Sequence, residues 1–230
     1  EVLKGLGYKE KEFKSVINKV DINYKNTETI IYKVYTKITR ELINGGDKMN
    51  FIDTVEKRRS IRRFDSKKIS KDIIEQILYH GSIAPSGKNR QPWRFVVIQE
   101  NENIKTKISD IMTFKANKTQ NLSESAGIKN TARIIREAPV FIAVFNTWGT
   151  EKLNSNLQSI GACIENICLS ATNLGLGSLW ICDIDCCFSE LQELLGKSKT
   201  SLVAGVALGY SLENPSARPR LKVKEITDWM

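Results

Sequence analysis

With 230 residues, 41% of them hydrophobic, the chain can fill a real core and needs no disulfide staple. Its formal net charge of +9 suits anionic small molecules, nucleic acid or acidic surfaces alike, so charge selects no partner by itself. Five cysteines (Cys163, Cys168, Cys182, Cys186 and Cys187) without paired zinc spacing, a single His80, no apolar run near the ~20 residues of a membrane span and no signal-peptide pattern together predict free thiols, no metal and a soluble cytoplasmic protein.

Residues 1–48 read as a unit of their own. Phe13, Val16, Ile17 and Val20 recur at helical spacing, and Thr27 can cap a longer helix carrying Ile30, Ile31, Val34, Tyr35, Ile38 and Leu42, which Gly45-Gly46 ends. With Leu3, Leu6 and the turn at Leu6-Gly7-Tyr8, a small three-helix bundle is expected. The segment Val2-Leu3-x-x-Leu6-Gly7-Tyr8-x-x-x-Glu12 and the closing amphipathic helix resemble the C-terminal domain of the Holliday-junction helicase's DNA-binding subunit, which implies docking on a helicase motor subunit. A second reading stays open. Gly45-Gly46-Asp47-Lys48-Met49 is what translation through a purine-rich ribosome-binding site into a start codon would produce, making 1–48 the tail of an upstream reading frame and 49–230 the enzyme.

From Phe51 a short helix delivers the basic cluster Arg58-Arg59-Ser60-Ile61-Arg62-Arg63. Guanidinium forks interleaved with a hydroxyl suit a phosphate, because charge-assisted bonds to anions are the strong ones. Ser70 is positioned to cap a helix with Ile73, Ile74, Ile77 and Leu78 as its core stripe, with His80 in the last turn and an end near Gly81. Pro85, Gly87 and Pro92 exclude helix from the next stretch, so Pro85-Ser86-Gly87-Lys88-Asn89-Arg90-Gln91 is a polar loop running into the strand that starts near Phe95. Asn101 to Ile128 is the most polar part of the region after Met49; Ile104, Ile108, Ile111 and Met112 mark one helix, and nothing in Lys115 to Gly127 compels fixed structure. Pro139 to Phe145 is a continuous apolar run expected as a buried central strand. Leu157 to Leu174 is apolar nearly all round, a helix expected to be buried on every side, in a core or a subunit interface. Gly175-Leu176-Gly177 ends it, Ser178 to Cys182 forms a strand, Ser189 caps a further helix, Leu202 to Leu208 is a last core strand, and a basic tail follows with Arg218-Pro219-Arg220.

Taken together, the Arg-Arg-Ser-Ile-Arg opening, the Pro-Ser-Gly-x-Asn-x-Gln-Pro-Trp-x-Phe loop, the Gly-Leu-Gly turn and the Arg-Pro-Arg tail closely resemble the flavin-dependent nitroreductase family over residues 49–230. The resemblance implies an α+β fold with a mixed sheet flanked by helices, and a homodimer with two FMN sites at the subunit interface. Arg58, Ser60, Arg218 and Arg220 would hold the FMN phosphate, with Arg59 beside them, and Arg62 would reach the N1 edge of the ring. Pro85, Ser86, Gly87 and Asn89 would approach from the second subunit with Gln91 close by, Gly87 letting backbone come near the ring. Backbone amides of Trp180-Ile181-Cys182 would face flavin N5; many relatives carry glycine at the position of Cys182, so backbone or thiol meets N5 there. The polar stretch near Lys115 would be a lid, and the tail ending at Trp229 would cross onto the partner.

With one histidine there is no room for a nucleophile-His-Asp set, and a flavin would carry the hydride chemistry itself, so no catalytic side chain and no metal are expected. The reading is an FMN-dependent NAD(P)H oxidoreductase passing hydride through N5 by a ping-pong scheme to a nitroaromatic, quinone or related small acceptor. Reductive dehalogenation or enone reduction on the same scaffold is the alternative, and an adaptor for a helicase motor, with the flavin domain as passenger, is a reading from another class.

Overall fold

A central strand sets the architecture. In the computed structural model, which describes residues 49–149 and 152–230, Val140–Asn146 is a strand whose seven residues are all buried. The three-helix bundle expected at 1–48 lies outside the described residues.

In chain order the elements are α1 (Phe51–Lys57), α2 (Lys71–Ser82), a 3-10 turn (Gly87–Asn89), β1 (Trp93–Gln99), α3 (Glu102–Ala116), α4 (Leu122–Glu137), β2 (Val140–Asn146), α5 (Leu153–Asn173), β3 (Gly177–Ile181), a 3-10 turn (Asp183–Cys187), α6 (Phe188–Leu194), β4 (Ser201–Gly209) and a last 3-10 turn (Val223–Glu225). The four strands form one sheet in the order β1-β2-β4-β3. Side chains alternate across a strand, so β2 feeds both faces. Phe141, Ala143 and Phe145 pack with Ile108 and Met112 of α3 and with Ile128 and Ile135 of α4. Val140, Ile142 and Val144 pack with Ile74 and Ile77 of α2 and with Ile160, Ile164 and Ile167 of α5. Each of the large side chains among these contributes about 1.5–3 kcal/mol by leaving water, which is why a strand covered on both sides carries no polar alternation.

The expected mixed sheet is corrected. All three strand pairings are antiparallel. β2 and β3 run the same way, but β4 lies between them, so the parallel strands are not neighbours. Parallel pairing is confined, among the described residues, to a bridge between Ser60 and Ser178, with the Ile61 amide donating to the Ser178 carbonyl at 2.9 Å.

Three local expectations change as well. The stretch Lys115 to Gly127 is mostly helical: Asn121 accepts hydrogen bonds from the Ser123 and Glu124 amides at 3.0 and 3.2 Å and so starts α4, while the Ser125 hydroxyl donates to the Ala116 carbonyl at 2.8 Å. Within one chain, and among the described residues, α5 is covered on one face: Leu157 is exposed and Gly161, Ala162 and Glu165 are half-buried, with Asn154, Gln158 and Glu165 recurring on that side at helical spacing. Of the two expected settings, the closed core therefore does not hold and a subunit interface stays an expectation. α6 starts at Phe188 without a side-chain cap, and the Ser189 hydroxyl donates to Glu190 instead.

Glycines at the end of the sheet seat the basic segment. Gly177 and Gly209 are cross-strand partners. A methyl group on Gly177 would come within 2.9 Å of Ile61, and one on Gly209 within 2.7 Å of Phe64. Ile61 and Phe64 therefore lie where side chains of β3 and β4 would otherwise stand. The Asp65 amide donates to the Tyr210 carbonyl at 2.8 Å and the Leu212 amide to the Arg63 carbonyl at 3.0 Å, so Ser60 to Asp65 is held on both margins.

Candidate functional site

α1 ends as the Arg58 amide donates to the Thr54 carbonyl at 3.0 Å, after which the chain extends along the edge of β3. Arg58, Arg59, Ser60 and Arg62 then line a cavity of about 430 Å³ whose other wall is Ser216, Arg218 and Arg220 of the tail, the size of an ordinary small-molecule site. The residues expected around a phosphate, Arg58, Arg59, Ser60, Arg218 and Arg220, and Arg62, expected at the ring edge, thus line one cavity.

Their guanidinium groups are held differently. Arg59 Nη1 donates to the Glu56 and Arg58 carbonyls at 2.5 and 2.9 Å. Arg62 Nη1 donates to the Ser60 carbonyl at 3.0 Å, and the Arg62 amide donates to Glu213 Oε1 at 2.5 Å. Arg58 Nε faces Glu165 Oε1 of α5 at 3.5 Å. Arg218 and Arg220 are exposed and make no ion pair among the described residues. Five guanidiniums and the Ser60 and Ser216 hydroxyls against one lining carboxylate, Glu56, make a donor set for an anion with several acceptor oxygens. That set fits the phosphate of a mononucleotide.

Sequence reasoning missed Glu56, Val55, Pro215, Ser216 and Ala217 of the lining, together with Glu165 and Glu213 behind it. One signal was available: Glu165 is the only charged residue within α5.

The remaining predicted residues do not line this cavity. Ser86 Oγ accepts from the Gln91 amide at 3.0 Å, the Asn89 amide donates to the Ser86 carbonyl at 2.9 Å, and Gln91 Nε2 reaches the Asn89 carbonyl at 3.4 Å. Lys88, Asn89 and Gln91 all adopt left-handed backbone, with φ of 54°, 54° and 49°. Such conformations cost of order 1 kcal/mol each for residues with side chains and gather where a binding loop is held in shape. Pro85 is exposed beside them. Gly87 packs against α5, where an added methyl would meet Ser155 Oγ at 2.8 Å, so within this chain its missing side chain makes room for a helix.

At the end of β3 the side chains diverge. Trp180 is exposed and lies over Gly161 of α5, Ile181 points into the core, and Cys182 is exposed. Ile181 therefore has only backbone to offer. The following turn is pinned, since the Thr131 hydroxyl of α4 donates to Asp183 Oδ2 at 2.7 Å. Burial, with the charges of Asp183 and Asp185 behind it, raises the Cys182 thiol above its usual range, so at neutral pH it is a protonated thiol and no nucleophilic thiolate. All five cysteines are free, and burial pushes Cys163 up to about 12 and Cys168 to about 11. Ser178 Oγ is buried next to the Cys168 thiol without a hydrogen-bond partner of good geometry. Among the described residues no group of acidic, His and Cys side chains could hold a metal, and no helix is long and apolar enough to cross a membrane.

The chain is similar to proteins already known. The profile of the nitroreductase family matches residues 55–210. A protein of Archaeoglobus fulgidus, provisionally named NADH dehydrogenase/NAD(P)H nitroreductase, is 33% identical over 156 residues, covering 66% of this chain and 80% of that one. The iodotyrosine deiodinase of Thermotoga neapolitana is 30% identical over 183 residues, covering 74% of this chain and 94% of its own. A crystal structure from Desulfovibrio desulfuricans, provisionally named a nitroreductase and in complex with FMN, superposes with a TM-score of 0.62 at 28% identity, over 79% of this chain and 98% of that one.

Proposed function

The chain belongs to the nitroreductase family and is an oxidoreductase, and from that premise we propose that it uses FMN to carry reducing equivalents from NAD(P)H to a small oxidised acceptor such as a nitroaromatic or quinone. The observation that carries the proposal is the convergence of Arg58, Arg59, Ser60 and Arg62 with Arg218 and Arg220, from opposite ends of the domain, on one cavity.

In this reading Arg58, Arg59, Arg218 and Arg220 hold the phosphate by charge-assisted bonds, and the Ser60 hydroxyl donates to it. Arg62, fixed through its amide by Glu213, places positive charge where reduction of the ring would put negative charge. Bound FMN would supply the hydride chemistry, which is why no acid, base or nucleophile of this chain needs to do so. Trp180, Ile181 and Cys182 present backbone at the end of β3, and Asp183, tied to Thr131, fixes that turn. The Pro85 to Gln91 loop, including Ser86, Gly87 and Asn89, does not line the cavity of its own chain and serves the site of a second copy, so the working form is a homodimer. The identity of the Thermotoga relative supports a second reading, reductive dehalogenation of a halophenol at the same site. Docking on a helicase motor would belong to 1–48, outside both the described residues and the family match, and forms no part of the proposal.

Purified full-length protein, denatured to release its chromophore, should yield FMN, sediment as a dimer and oxidise NADPH or NADH only when an acceptor is added. A panel of nitroaromatics, quinones, enones and halophenols separates the two readings. Protein that neither retains nor takes up FMN overturns both.

A further inference from the structure

The cavity lining leaves Glu165 unexplained. It is the single charge in α5, a helix otherwise built from apolar, small and neutral polar residues, and its side chain is half-exposed while that of Arg58 is mostly covered. Its Oε1 lies 3.5 Å from Arg58 Nε. Neither Nη group of Arg58 makes a hydrogen bond among the described residues. Arg59 and Arg62 are steadied by backbone carbonyls that belong to the same segment, whereas Arg58 is steadied by a carboxylate from another element.

We infer that Glu165 is a positioning residue of the anion site: it takes the Nε edge of Arg58 and so turns the two free Nη groups, as a preset fork, toward the ligand. This rests on the reading of the cavity as a phosphate site. A long guanidinium side chain loses much rotamer freedom when it clamps a ligand, and a carboxylate that has already restricted it removes part of that loss from the binding step.

The inference has a sign that simple charge does not share. A carboxylate beside an anion site repels the anion, so on charge alone Glu165→Gln should tighten binding. Positioning predicts the opposite, a weakening of about tenfold, the size of one compromised hydrogen bond to a charged group. The measurement is calorimetric titration of the flavin-stripped full chain with FMN and, separately, with inorganic phosphate, for the parent, Glu165→Gln, Arg58→Ala and the double variant. The expected result is about tenfold weaker binding of both ligands by Glu165→Gln, and less than about twofold further change when the same substitution is made on Arg58→Ala, because the effect passes through Arg58. Equal or tighter binding by Glu165→Gln overturns the inference while leaving the phosphate site standing. An undiminished effect on the Arg58→Ala background also overturns it, since Glu165 would then act by another route. A parent protein that binds neither FMN nor phosphate removes the phosphate reading itself, and the inference with it.

Discussion

Arg58 to Asp65 and Pro85 to Gln91 are both polar stretches beside the sheet, yet they are secured in opposite ways. The first is pinned by distant parts of the chain: the Ser178 carbonyl, Tyr210, Glu213, and the glycine pair Gly177 and Gly209 under Ile61 and Phe64. The second is shaped mostly by itself, through Ser86 and left-handed backbone at Lys88, Asn89 and Gln91, with α5 behind Gly87. The first meets the tail to close a cavity, and the second shares none of it. The arginine-lined cavity is therefore closed within one chain, while the loop holds its own shape and contributes nothing to that cavity.

The comparison breaks most sharply at the arginines. Arg58→Ala combined with Arg220→Ala should raise the FMN dissociation constant by about a hundredfold, roughly tenfold per charge-assisted contact, with the flavin lost on dialysis. Asn89→Ala, in the loop, should weaken FMN but leave competition by inorganic phosphate unchanged. Full flavin occupancy in the double variant would remove the phosphate assignment.

The next test separates seat from core. Gly205→Ala meets Phe141 Cε2 at 2.5 Å and Gly209→Ala meets Phe64 Cδ1 at 2.7 Å. Each should cost about 1–3 kcal/mol in urea unfolding, as overpacking does. Only Gly209→Ala should also weaken phosphate binding, because Phe64 carries the segment that presents Arg62. Identical binding in the two variants would mean the seat does not govern the cavity.

The last test concerns the thiols of α5 and leaves the cavity untouched. Cys163 and Cys168 keep their protons up to about 12 and about 11 when folded, against an ordinary 9.0 in the unfolded chain. Above about pH 9 the unfolded state therefore holds fewer protons than the folded one, so their contribution to stability is full below that pH and declines toward 11–12. Urea midpoints followed from pH 8 to 11 should fall, and Cys163→Ala should flatten the fall. Exposed Cys182 should be the first thiol alkylated in the native protein.

Much of the site is legible in residue types alone. The forks of Arg58, Arg59 and Arg62 suit an anion by their chemistry, Arg218 and Arg220 join them only through the family resemblance, and the run Val140 to Phe145 announces a strand with two buried faces by lacking alternation. What stays hidden depends on long-range neighbours. Glu213 meets Arg62 across 151 residues, and no local pattern pairs them. The insertion of β4 between β2 and β3, which abolishes the mixed sheet, leaves no mark on the strands themselves. α4 is obscured by its polar content, although Asn121 and the stripe Ile128, Ala132 and Ile135 mark its start and its buried face.

The strand order has a consequence for how this protein comes into being. β2, the most hydrophobic segment of the domain, finds one of its two partners in β4, the last strand of the sheet, with Val140 opposite Leu208. On the ribosome, a naked β2 edge must wait until Gly209 has cleared the exit tunnel, through the whole synthesis of α5, β3 and α6. Such delayed closure is slow and leaves sticky intermediates. Fragments truncated before Ser201 should accumulate as aggregates, and chaperone demand should peak late in translation.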